Sequence, residues 1–227
     1  MSVMVTARST ISGICGGTMT DWPKLQFAEK DWELQSQKRL VDGFFQLDQL
    51  TLTHRGYLTD SVGPMVRELL VRTPAVVVIL CDVQRQQLVM VEQFRIGAAM
   101  SELADSPWML EWVAGICDSG ETPVETCRRE VLEETGLVIE GDLRRLFTYY
   151  PSPGGSNELI HLYFAHCDAS NADSFCGQGS EHEDLKVHVI SIASALEALQ
   201  TGMVNNAATI IGLQWLQANL DQLVKGE

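Results

Sequence analysis

The chain has 227 residues, 45% hydrophobic and 20% charged, enough for one sizeable core with a small accessory subdomain. Its formal charge of -14 argues against nucleic acid or an anionic membrane as partner, because both select basic patches; a polyanionic substrate then needs metal and local arginines to enter. No apolar run reaches the ~18 residues of a membrane-spanning helix, so no span is expected.

In chain order, residues 1–24 mix Thr, Ser and Gly with neither a basic start nor an apolar stretch of signal-peptide length, and Met19 is an alternative start. Glu33–Leu40, Phe44–His54 and Met65–Val71 alternate partially, which predicts a three-stranded antiparallel sheet forming an N-terminal subdomain over 25–73. Ala75–Leu80 and Gln87–Val91 read as a buried hairpin that opens a main domain over 74–227. Further on, a helix is predicted at Pro123–Thr135, then strands at Arg145–Tyr150, Leu159–His166 and Val187–Ile192. Two closing helices follow, at Ile192–Gln200 and Asn206–Leu223, the latter with Ile210, Leu213, Trp215 and Leu216 or Leu220 on an apolar face. The class is α/β with mixed or antiparallel strands. Six cysteines, at 15, 81, 117, 127, 167 and 176, include no Cys-x-x-Cys pair, and reduced buried thiols in a cytoplasmic setting are the expectation.

The segment Gly115–Leu137 carries the chemistry. Thr122 can cap the helix, Pro123 suits its first position, Glu125 can complete a capping box, and Gly136 is a stop. Val124, Cys127, Val131 and Thr135 fall in one stripe suited to packing on a sheet. Glu130, Glu133 and Glu134 project on another flank, where three carboxylates within a turn repel unless a cation is shared; Mg2+ bridges carboxylates and substrate phosphates. Such a run alone is commonly a solvated helix face. Here Gly115 allows a close approach of backbone to metal or phosphate, and Glu121 and Arg129 can pair to pin the loop onto the helix.

The same segment resembles the Nudix box, G-x5-E-x7-R-E-U-x-E-E-x-G-U with U apolar, at every specified position. The resemblance implies a Nudix fold, a mixed sheet sandwiched between helices. Tyr150–Glu158 is similar to the Ser-Pro-Gly-Gly-Thr/Ser-x-Glu stretch of bacterial ADP-ribose pyrophosphatases. So are Phe44–Asp48, Val91–Arg95, Glu181–Asp184 and the stretch from Asn205 through Leu216.

Carried onto this chain, the resemblance implies metal binding by Glu130 and Glu134, with Glu133 assisting and the Ala114 carbonyl completing the site, and it places Arg129 in the catalytic set. It implies Mg2+, two or three ions with Mn2+ as a substitute, and Glu181 as general base with Glu183 as its rival. Arg67 and Arg95 would grip the diphosphate or terminal ribose, Phe44 would stack on adenine, and Ser152, Gly154, Gly155 and Glu158 would complete the substrate site. The bland readings are surface arginines at 67 and 95, a core Phe44 and a solvated acidic loop around Glu181. The implied reaction converts ADP-ribose to AMP and ribose 5-phosphate. The implied assembly is a homodimer with a swapped N-terminal sheet, in which Phe44 and Arg67 serve the neighbouring site. The alternatives are a diphosphatase for another nucleoside diphosphate sugar of the GDP-mannose type and a non-catalytic ADP-ribose sensor.

Overall fold

A computed structural model describes residues 22–102, 105–177 and 184–225; residues 1–21 of the N-terminal lead and both candidate bases, Glu181 and Glu183, lie outside the described residues. The alternating N-terminal stretches form β1 (Trp32–Asp42), β2 (Gln46–His54) and β3 (Val62–Val71), an antiparallel sheet in that order. The chain divides into two compact units, Met1–Ser36 with Thr51–Val66 and Gln37–Leu50 with Arg67–Glu227. The C-terminal ends of β1 and β3 and the N-terminal end of β2 thus belong to the larger unit.

The larger unit contains the mixed sheet. Its central hairpin is β4 (Ala75–Asp82), buried throughout, and β5 (Gln87–Phe94). After a single helical turn, α1 (Ile96–Ala99), come β6 (Trp108–Glu111), β7 (Val113–Ile116) and the helix α2 (Pro123–Thr135). Then follow β8 (Arg144–Tyr149), β9 (Ile160–His166), β10 (Phe175–Cys176), β11 (Leu185–Ser191), α3 (Ile192–Gln200) and α4 (Ala207–Lys225). The strand order is β10-β11-β5-β4-β9-β8, with β4 and β9 parallel and the other pairs antiparallel.

Between β4 and β5 the sheet splits. The two strands pair only at the hairpin end, Leu80–Asp82 against Gln87–Val89. Beyond that, β6 takes the free edge of β5 from Val91 to Phe94, and β7 takes that of β4 from Ala75 to Val78. One continuous segment therefore fills the split, with Trp112 buried where it crosses from one strand to the other.

The unbroken apolar run of β4 follows from burial on both faces. Val77 and Ile79 pack in a core with Leu213 and Leu216 of α4, while Val76, Val78 and Leu80 pack with Cys127 and Val131 of α2. Truncating Leu213, 1% exposed, to Ala would cost about 2–5 kcal/mol. Helix α2 is ended as its sequence predicts: the Thr122 and Glu125 side chains cap reciprocally, and Gly136 takes a left-handed φ of 71° while its amide donates to the Leu132 carbonyl.

Two features of α2 differ from the sequence reading. Val124 does not join the buried stripe and is 39% exposed, because α2 meets the sheet only from Thr126 onward. Glu134, expected on a polar flank, is 2% exposed. The five described cysteines are free thiols. Among the described residues no helix is long and apolar enough to cross a membrane.

Candidate active site

A cavity of about 1520 Å³ opens within the larger unit, above the ~300–1,000 Å³ usual for small-ligand pockets and sufficient for an extended nucleotide derivative. Three arginine–carboxylate pairs line it: Arg129 with Glu130 and Glu133, Arg95 with Glu111, and Arg72 with Glu158. In an acidic chain, these arginines are the local positive charge that an anionic substrate requires.

The first pair sits where β7 faces α2. Arg129 donates through Nη1 to Glu130 at 2.7 Å and Glu133 at 3.1 Å, and through Nε and Nη2 to the two oxygens of Glu121 at 3.0 and 2.9 Å. Its Nη2 also reaches the Ile116 carbonyl at 3.2 Å, so the loop between β7 and α2 is pinned to the helix. The guanidinium beside Glu121 holds that carboxyl down at about 2, helped by the Thr126 hydroxyl, and Glu121 in turn raises Arg129.

Gly115 lies directly under Glu130. A Cβ at Gly115 would stand 1.8 Å from Glu130 Oε1, so the glycine is required for the carboxylate to lie across β7. Next to it, the Ala114 amide donates to Glu134 Oε2 at 3.3 Å. In an extended strand one residue's N–H and C=O point to the same edge, which puts the Ala114 carbonyl on the Glu134 side.

Among the described residues no three His, Cys, Asp or Glu side chains are already gathered in a metal-holding arrangement. Glu130 and Glu133 converge on Arg129, which compensates their charge, and Glu134 sits deeper, on the Ala114 amide. The donor set nevertheless fits a hard divalent ion, being all carboxylate and carbonyl oxygen with a glycine cradle that leaves Glu130 room.

In the rest of the cavity Arg95, Phe44 and Glu158 stand where the sequence reading has them, whereas Arg67, Ser152, Gly154 and Gly155 do not line it. Arg95 lines it, held by the buried Glu111. Arg67, on β3, is exposed and lies outside the lining; Arg72, just past the end of β3, lines it instead. The Arg72 guanidinium lies 5.8 Å from the Phe44 ring centre and 4.7 Å from that of Phe45, within cation–π range, and Nε donates to Glu158 at 3.2 Å. Phe44 is 81% exposed and lines its own chain's cavity, unlike the core residue of the bland reading.

Ser152, Gly154 and Gly155 do not line the cavity. They form a turn in which the Gly155 and Ser156 amides donate to the Ser152 carbonyl, and the Gly155 carbonyl accepts from the Leu70 amide at 2.8 Å. The Asn157 side chain takes the Arg72 amide at 2.7 Å, so this stretch fastens the end of β3 and presents Glu158. Arg72, Phe45, Glu111 and Asn206 line the cavity without a motif that assigns them a role in the sequence. Glu111 carried one available signal, a lone charge inside the apolar run Trp108–Ile116.

The NUDIX domain profile matches residues 71–211. The chain is 37% identical over 198 residues to the ADP-ribose pyrophosphatase of Haemophilus influenzae, covering 87% of this chain and 91% of that one. It is 35% identical over 201 residues to the ADP-ribose pyrophosphatase of Escherichia coli, covering 88% and 94%. A GDP-mannose pyrophosphatase of Escherichia coli is 33% identical over 188 residues, covering 81% and 94%. With the box on β7 and α2, a split mixed sheet between helices, and a profile matched over more than half its length, the chain belongs to the Nudix hydrolase family.

Proposed function

We propose that the protein is a Mg2+-dependent ADP-ribose pyrophosphatase yielding AMP and ribose 5-phosphate. The supporting observation is one cavity with box carboxylates at Glu130 and Glu133, two further arginines at 95 and 72, and an exposed aromatic ring at Phe44. Relatives of that name at 35–37% identity support the same substrate.

Nudix hydrolases generally depend on a divalent metal. Glu130, Glu133 and Glu134, with the Ala114 carbonyl, would hold two or three Mg2+ ions, with Mn2+ as a substitute. Bound by these oxygens, Mg2+ would supply charge neutralisation on the diphosphate and a lowered pKa for the attacking water. Arg129 keeps Glu130 and Glu133 in place. Arg95 and Arg72 bind phosphate oxygens, Phe44 stacks on the adenine, and Glu158 accepts from a ribose hydroxyl. Glu181, with Glu183 as the alternative, accepts the proton of the water as it attacks phosphorus and the bridging P–O bond breaks.

The same reading has a homodimer in the cytoplasm, with residues 25–73 as the dimerisation sheet and 74–227 catalytic; Phe44 and Arg72 line their own chain's cavity, so the exchange expected of that sheet does not extend to them. Exposed Trp32, Leu34 and Leu40 on β1 support a partner for that sheet. Phe44 then serves its own chain, and Arg67 reaches substrate only in the second copy. The second reading is a GDP-mannose-type diphosphatase, favoured by the relative at 33% identity; a non-catalytic sensor is disfavoured by a box with every glutamate present. The test is product analysis after incubation with ADP-ribose and Mg2+. AMP and ribose 5-phosphate in equal amounts, abolished by EDTA, are expected; intact ADP-ribose would contradict the proposal.

A further inference from the structure

Glu111 is a buried carboxylate that lines the cavity yet belongs neither to the box nor to any substrate motif. It is the last residue of β6, opposite Val91 of β5, and both of its oxygens are engaged. Oε2 accepts from Arg95 Nε and Nη2, each at 2.7 Å, and Oε1 accepts from the Asn206 side-chain amide. Asn206 is itself fixed, since its Oδ1 accepts from the Thr209 amide at 3.0 Å at the start of α4 and its carbonyl from the Ile210 amide at 2.9 Å. The network therefore ties the end of β5, the end of β6 and the first turn of α4 to one guanidinium.

Glu111 holds the Arg95 guanidinium in place, and the Arg95 side chain is 42% exposed against 5% for Glu111. With Nε–H and one Nη2 hydrogen committed, both Nη1 hydrogens and the second Nη2 hydrogen are left for a ligand. A flexible arginine in open solvent would lose side-chain freedom on gripping a phosphate, whereas this one is ordered beforehand.

We propose that Glu111 is a positioning residue: it pre-orients Arg95 for the diphosphate of the substrate, and Asn206 locks Glu111 from behind. This rests on the reading of the cavity as a nucleoside diphosphate site, but not on ADP-ribose as the substrate. A carboxylate beside an anion site is locally repulsive, and its full engagement by Arg95 and Asn206 is what makes it tolerable there.

The test is ADP affinity by calorimetry, with thermal stability measured in parallel, in a double-mutant cycle. Glu111→Gln is expected to weaken ADP binding about tenfold in the wild-type background and to have no further effect once Arg95→Ala is present. Asn206→Ser, which keeps a capping hydroxyl on α4 but cannot hold Glu111, guards against a folding failure of Glu111→Gln; it should weaken binding about threefold, again only when Arg95 is present. Wild-type affinity in both variants, an equal loss with and without Arg95, or no ADP binding by the wild type would overturn the proposal. Failure of the wild type to hydrolyse ADP-ribose would count against the substrate reading alone, because this readout is ADP affinity.

Discussion

The Glu130 carboxylate occupies the space that a side chain at Gly115 would need, 1.8 Å from where its Cβ would stand. The first glycine of the box is thus set by a glutamate fifteen positions later in the sequence. The clash falls on the far end of a flexible side chain, so Gly115→Ala should leave the melting temperature within about 3 °C while cutting kcat at least a hundredfold, by displacing Glu130. Equal loss of stability and activity would mean that the glycine serves the backbone of β7 instead.

Glu134 presents the opposite balance. At 2% exposure, with its Oε2 on the Ala114 amide, it is a buried carboxylate whose charge costs solvation. Glu134→Gln keeps an oxygen for that amide and removes the charge. Turnover should fall by orders of magnitude while the denaturation midpoint at pH 7 stays level or rises, measured by urea titration beside initial rates.

The Glu121–Arg129 pair predicts a pH dependence. Arg129 lowers the Glu121 carboxyl from 4.5 to about 2, so the pair's contribution to stability is present above 4.5 and is lost as pH falls through about 2. Subtracting the stability-versus-pH curve of Glu121→Gln from that of the wild type should leave a difference that shrinks between those values. A difference flat across that window would remove Arg129 as the cause.

Arg72 should behave as a substrate contact. Arg72→Met keeps apolar contact with Phe45 but loses the charge beside Glu158; KM is expected to rise about tenfold with kcat within about threefold. Arg67→Met, outside the cavity, tests the dimer reading, because a matching rise in KM there would require a second copy at the site.

Burial pushes the Cys81 and Cys127 thiols up to about 12, leaving a thiolate fraction of about 10⁻⁴ at pH 8. Both should resist alkylation in the native protein and label rapidly in denaturant, as mass spectrometry of the labelled peptides would record. Fast native labelling of Cys127 would mean that α2 detaches readily from the sheet.

Where local signals suffice, sequence and structure coincide. Helix α2 has a cap, a proline and a stop glycine, and its bounds, Pro123–Thr135, are those the residues predict; α3 follows in the same way from Ile192 to Gln200. β6 and β7 escaped because each is four residues long, with no alternation in Trp108–Ile116; only the split between β4 and β5 makes them strands. Tertiary partners decided the site's other surprises. Glu134 is drawn inward by an amide of β7, and Arg72 rather than Arg67 meets the cavity because the Ser152–Glu158 turn fastens the end of β3. None of those partners is near in sequence, so no periodicity carries them.

Substrate identity is tested most directly by kcat/KM for ADP-ribose, GDP-mannose and NADH under one Mg2+ concentration. ADP-ribose should be preferred by at least about tenfold, a margin of about 1.4 kcal/mol in transition-state binding. A clear preference for GDP-mannose or NADH would contradict ADP-ribose as the substrate.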